Sequence, residues 1–136
     1  MSISRNRPET LRLRGIAPSL TVNDLEASLR WYCDVVGFYR KQVWEEDGRL
    51  LGAELVAGSQ ALMLTQDDWG KGRDRVKGAG LRLYLETTQS VDDVAERVRE
   101  QGGVLASEPR DQPWGARTFD LVDPDGFLLT ISSSYS

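Results

Sequence analysis

The chain has 136 residues, the length of one domain that can bury a core without staples. With 40% apolar and 28% charged residues it has the composition of a globular protein, and a net charge of −4 argues against a nucleic-acid partner, whose phosphates need a basic face. It has no histidine, which excludes an imidazole-ligated metal centre, and a single cysteine, Cys33, which excludes an internal disulfide and suits a reducing, cytoplasmic compartment.

Residues 1–14 carry Arg5, Arg7, Arg12 and Arg14 but no apolar core of a signal peptide, and Pro8 and Glu9 argue against a transit peptide. They are expected to form a mobile arm. No run approaches the ~18 apolar residues of a membrane span. Ile16 to Val22 alternates as a strand, with Ile16, Leu20 and Val22 on one face and Ala17, Ser19 and Thr21 on the other. Asn23 and Glu26 have capping-box spacing. Leu25, Leu29, Tyr32, Cys33 and Val36 follow at helical spacing, and Gly37 stops the helix. Phe38 to Trp44, Leu50 to Val56 and Ala61 to Thr65 read as strands joined by Asp47-Gly48 and Ala57-Gly58-Ser59 turns.

Residues 67–80 break the pattern with Gly70, Gly72, Gly78 and Gly80 among charges, and are expected to be a linker or flap. The order then recurs. Leu81 to Thr87 reads as a strand, with Arg82, Tyr84 and Glu86 on one face. Ser90 caps a helix striped by Val91, Val94, Ala95 and Val98, and Gly102-Gly103 ends it. Val104 to Ala106 is a short strand, and Pro109 and Pro113 bracket a loop. Arg117 to Val122 and Phe127 to Ser132 are strands around an Asp123-Pro124-Asp125-Gly126 turn. Two copies of one βαβββ unit, 15–66 and 81–136, are a duplication within one structural domain. Each helix covers one face of its sheet, so the other face must bury against something or line a cavity.

The motifs Leu20-Thr21-Val22-Asn23-Asp24, Ser28 with Trp31-Tyr32, Val36-Gly37-Phe38, Gln112-Pro113-Trp114-Gly115 and Asp123-Pro124-Asp125-Gly126-Phe127, in this order on a duplication, resemble the vicinal oxygen chelate superfamily, the group of glyoxalases, bleomycin resistance proteins and dioxygenases. The resemblance covers about Ile16 to Ser132. It implies an α+β fold of two paired βαβββ modules forming curved sheets around a cleft, in a homodimer. In metal-using members of that group, four ligands project from strands of the two units. The equivalent positions here are Ala17, Met63, Arg82 and Thr130, none an ordinary ligand for a divalent metal. The sequence therefore resembles the metal-free branch typified by bleomycin resistance protein, with no cofactor expected. A carboxylate site built elsewhere from Glu54, Glu86 or Asp120 is the reserve.

The expected function is binding of a small aromatic or hydrophobic molecule, as in drug sequestration, by Trp44, Met63, Arg82, Tyr84, Glu86, Trp114, Phe119 and Thr130, with Trp69 as a further wall residue. Arg82 suits an anionic group on the ligand and Glu86 a cationic one. Two alternatives stay open: a metal-independent enzyme using a cleft carboxylate as acid or base, and an interaction module whose cleft is collapsed.

Overall fold

The computed structural model describes residues 11–134. The expected arm thus lies largely outside the described residues, and residues 11–18 form no strand. The first unit runs β1 (Ser19–Val22), α1 (Leu25–Arg30), a π-helical turn (Trp31–Val36), β2 (Tyr39–Glu46), β3 (Arg49–Ala57) and β4 (Gln60–Gln66). The second runs β5 (Arg82–Glu86), α2 (Val91–Glu100), β6 (Ser107–Asp111), β7 (Ala116–Val122) and β8 (Leu128–Ser134). Each makes a four-stranded sheet, in the orders β1-β4-β3-β2 and β5-β8-β7-β6, with the first two strands parallel and the rest antiparallel. The duplication is visible in the register: Ser19 opposite Met63 in the first sheet is matched by Tyr84 opposite Thr130 in the second.

Local chemistry explains the departures from sequence expectation. β1 begins only at Ser19, leaving Ile16 exposed, because Pro18 has no amide to donate; its carbonyl still accepts from Met63 N at 2.9 Å. The first helix is capped by Asp24, whose side chain accepts from Ala27 N, rather than by Asn23. Its second half widens into a π turn, in which Gly37 N donates to Tyr32 O five residues back. Gly37 takes the left-handed conformation that ends it. The Pro109 segment, expected as a loop, belongs to β6. That is an edge strand with an irregular register between Ser107 and Arg110, where a missing amide breaks no ladder.

Alternation sends Leu20, Val22, Ala53, Leu55, Leu62 and Leu64 to one face of the first sheet, and Phe119, Leu121, Leu129 and Ile131 to one face of the second. These faces close on the helices with Leu25, Leu29, Tyr32, Val91, Ala95 and Val98, so one core runs through the molecule. The two units meet through helices and a turn. Arg97 Nη1 donates to Val36 O at 2.9 Å, and Tyr32 OH donates to Asp123 Oδ2 at 2.6 Å. Asp125 accepts from Asn23 N at 2.9 Å and from Ser28 Oγ at 3.4 Å.

This arrangement corrects the expectation of curved sheets around a cleft. Neither sheet is closed or curled: each is an open ribbon of four strands, and no ladder joins β1–β4 to β5–β8. The physical reason is that the units join on their helix sides. The second face of each sheet is left open rather than wrapped around a cavity.

Residues 67–80 are tied down. Asp67 accepts from Trp69 N at 2.8 Å and pairs with Arg75 at 2.9 Å and Lys77 at 2.8 Å, with both the Asp67 and Lys77 side chains buried. Lys77 also donates to Asn23 Oδ1 at 2.6 Å, and the Trp69 ring lies under Arg73 and Lys77. The hydrogen bond from Lys77, with help from Trp69 N and Arg75, holds the Asp67 carboxyl well below the usual carboxylate range.

Candidate functional site

The open face of the second sheet carries most of the side chains that the sequence singles out. β5 supplies Arg82, Tyr84 and Glu86, all exposed, and pairs with β8 so that Arg82 lies opposite Leu128 and Tyr84 opposite Thr130. β7 continues the rows with Val122 opposite Leu128 and Asp120 opposite Thr130. Strand alternation sets this face: the intervening Leu83, Leu85, Leu129, Ile131, Phe119 and Leu121 point into the core or pack against it.

Small hydroxyls form the floor. Thr118, Thr130 and Ser132 are buried, each beneath a longer side chain that bonds to it. Arg82 Nη1 donates to Thr130 Oγ1 at 2.8 Å, and Thr130 in turn donates to Asp120 Oδ1 at 2.7 Å. Tyr84 OH donates to Ser132 Oγ at 3.0 Å and accepts from Trp114 Nε1 at 3.3 Å. Gln112 Nε2 donates to Thr118 Oγ1 at 2.8 Å. The hydroxyls anchor the polar ends of Arg82, Tyr84 and Gln112 and leave flat surface above: Tyr84 is 45% exposed and Trp114 65%. Trp114 is brought over the sheet by the turn before β7, where Gly115 has positive φ and its amide closes on Gln112 O.

Arg82, Tyr84, Trp114 and Thr130 are therefore one constellation, with Glu86 exposed at the far end of β5. Trp44 and Met63 lie on the first sheet instead. The Trp44 ring packs on Gly52, its partner in the neighbouring strand, where an added Cβ would lie 3.1 Å from the ring, tighter than ordinary contact. Phe119 is fully buried among the core residues, because its alternation places it on the helix side. Trp69 belongs to the 67–80 segment described above. The hydroxyls of Thr118 and Ser132 are not among the residues expected from the sequence, and Asp120, expected only as a reserve metal carboxylate, serves as the acceptor for Thr130; for Ser132 the small polar residues of 130–134 are the available signal.

The residues do not fit a metal. Ala17 is exposed ahead of β1, Met63 is half-buried on β4, Arg82 carries a cation, and Thr130 spends its hydroxyl between Arg82 and Asp120. The reserve carboxylate site is not assembled either. Glu54 faces Lys41 at 3.7 Å on the first sheet, while Glu86 and Asp120 are on the second. Among the described residues no three of His, Cys, Asp and Glu come together as a metal would need. Asp123, whose carboxyl is pushed up by burial, spends one oxygen on Tyr32 and the other on the amides of Asp125 and Phe127, inside the junction between the units.

Two shallow grooves flank these elements. One of about 540 Å³ is lined by Gly78, Gly80, Leu81, Arg82, Val122, Gly126 and Leu128. The other, about 510 Å³, lies near the start of α1 and includes Leu25, Leu50, Asp67 and Trp69. No helix among the described residues is long and apolar enough to cross a membrane.

Known proteins share both sequence and architecture with this chain. A "probable lactoylglutathione lyase" of Synechocystis is 25% identical over 123 residues, covering 86% of this chain and 92% of that protein. A "bleomycin resistance protein" of Geobacillus stearothermophilus is 26% identical over 126 residues, covering 84% and 92%. Among solved structures, TioX from Micromonospora superimposes with a TM-score of 0.72 at 21% identity, over 88% of this chain and 98% of that one. A glyoxalase/bleomycin resistance protein/dioxygenase from Nocardioides gives 0.71 at 21% identity, over 98% and 92%. The family model of the glyoxalase/bleomycin resistance protein/dioxygenase superfamily matches residues 14–131, and the chain belongs to that superfamily, with none of the usual metal donors at its four ligand positions.

Proposed function

We propose that this protein binds a small aromatic or hydrophobic molecule on the open face of its second sheet, without a metal, and acts by sequestering it in the cytoplasm. The observation that carries the reading is the exposed pair Tyr84 and Trp114, held by hydrogen bonds over buried Ser132. Exposed aromatic rings fixed at their polar ends form a preorganised flat surface, which favours planar ligands because little side-chain entropy remains to be lost. The relatives named for bleomycin resistance give the sequestering role its precedent.

A homodimer completes the reading. A sheet face carries one wall of a site, and a second copy of the chain laid over it supplies the other, burying more of the ligand than an open ribbon does. No catalytic residue is assigned.

Intrinsic tryptophan fluorescence, titrated with 2-naphthol in the presence of EDTA, tests the proposal. Saturable quenching is expected, lost in Trp114→Ala and Tyr84→Ala while both variants keep the native circular dichroism. Absence of saturation, or saturation unchanged in both variants, overturns it.

A further inference from the structure

Arg82 is the one charged residue in a groove otherwise lined by glycine backbone and apolar side chains. The groove follows one row of the sheet: Arg82 on the edge strand β5, Leu128 opposite it on β8, and Val122 beyond on β7. Val122 is 48% exposed, so the row ends in apolar surface. Arg82 is held through one nitrogen. Its Nη1 donates to Thr130 Oγ1 at 2.8 Å and faces Asp120 Oδ1 at 4.0 Å in a loose ion pair, and among the described residues its guanidinium makes no other hydrogen bond. Half of the side chain is exposed, at 53%. A guanidinium anchored by one nitrogen presents the remaining fork in a fixed direction, a geometry that matches the two oxygens of a carboxylate.

Three strands at about 4.8 Å spacing put Val122 roughly 10 Å from Arg82 across the sheet. The row therefore has a cationic end, an apolar end and a fixed separation. Tyr84, two residues along β5, adds an aromatic edge beside the cation.

We infer that the ligand is an amphipathic carboxylate about 10 Å long, such as an aryl carboxylic acid, with its anion on Arg82 and its apolar body along Leu128 and Val122. This rests on the small-molecule reading above and narrows it, since a cationic drug is disfavoured at the same place. The selectivity arises from charge. A neutral isostere keeps the apolar contacts and loses only the charge-assisted pair, a difference of about tenfold or more in affinity.

The test compares 2-naphthoate with 2-naphthamide by isothermal titration at neutral pH, on the full chain and on Arg82→Gln and Arg82→Lys. The native protein is expected to bind the acid at least about tenfold tighter than the amide. Arg82→Gln should equalise the two, and Arg82→Lys should keep part of the preference. Should Arg82→Gln fail to fold, salt on the native protein serves instead. Raising sodium chloride from about 0.05 to about 0.5 M should weaken the acid and spare the amide. Equal binding of the two probes, or a preference that survives Arg82→Gln, overturns the anion site and leaves small-molecule binding standing. Binding of neither probe on this face overturns both.

Discussion

Tyr32→Phe removes one oxygen from the junction between the two units, and its cost follows from what Asp123 is left with. Tyr32 is fully buried, and its hydroxyl donates at 2.6 Å to Asp123 Oδ2, while Asp123 Oδ1 already serves the amides of Asp125 and Phe127. In the variant Oδ2 stays buried with no donor. A hydrogen bond to an ionised group contributes about 1.5–3 kcal/mol, so the loss at pH 8 should be about 2–3 kcal/mol, a fall in Tm on the order of 10 °C for a chain of this size. Burial raises the Asp123 carboxyl above its ordinary value. Its contribution to stability is therefore complete below the unfolded carboxyl value of about 3.9 and is lost as pH rises through the folded one. With Asp123 protonated, the missing bond is a neutral one, and the penalty should shrink to about 1 kcal/mol near pH 4. Burial and the Asp123 charge also raise the Tyr32 phenol. Its contribution is complete below about pH 10, and the native protein should lose stability above that pH faster than the variant does. Urea melts at pH 4, 8 and 10.5 measure all three. A penalty below about 0.5 kcal/mol at pH 8, or one independent of pH, would refute the reasoning.

Three further outcomes are expected. Gly78→Ala places a Cβ 1.9 Å from the Gly126 carbonyl oxygen, a backbone atom that cannot swing away, so urea melts should show a loss of about 2 kcal/mol or more, against little effect for Gly15→Ala, whose Cβ meets nothing within 4 Å. Asp67 has its carboxyl lowered by Lys77, so it stabilises the fold above the unfolded value of about 3.9 and loses that contribution as pH falls below it; Asp67→Asn should flatten the acid limb of Tm against pH. Gly37→Ala combines positive φ with a Cβ 2.5 Å from Arg97 Nη1, and should destabilise by about 1–2 kcal/mol in urea melts.

The repeat, the strand alternation and the cap of the second helix are legible because each is set by local chemistry, whereas at the first helix Asp24 and not Asn23 is the cap. Ser90 caps α2 through Asp93 N as its spacing implies, and Leu83 and Leu85 turn inward while Arg82, Tyr84 and Glu86 turn out. What was not legible depends on contacts distant in sequence. Nothing in the local pattern distinguishes a sheet that curls around a cleft from an open ribbon; that choice lies in how Tyr32 meets Asp123 and how Asn23 and Ser28 meet Asp125, about a hundred residues apart along the chain. The same holds for residues 67–80. Their glycines suggest a flap, but the pairing of Asp67 with Arg75 and Lys77 needs a fold to bring Asn23 alongside. On the candidate site, alternation along β5 places Arg82 and Tyr84 outward, whereas Phe119, expected on the wall, lies between Thr118 and Asp120 on β7, and its place in that alternation sends it to the core. Trp44 and Trp114 look equivalent as residues and are separated because they belong to different sheets.

The central claim is metal-independent binding at the second sheet, and the most direct measurement is a backbone and indole NMR titration of the full chain with 2-naphthoate, run once with EDTA and once with added nickel. The account predicts saturable shifts at Arg82, Tyr84, Thr130 and the Trp114 indole, identical in the two runs. Shifts that require the metal, or that fall on the first sheet and leave these four unmoved, would contradict it.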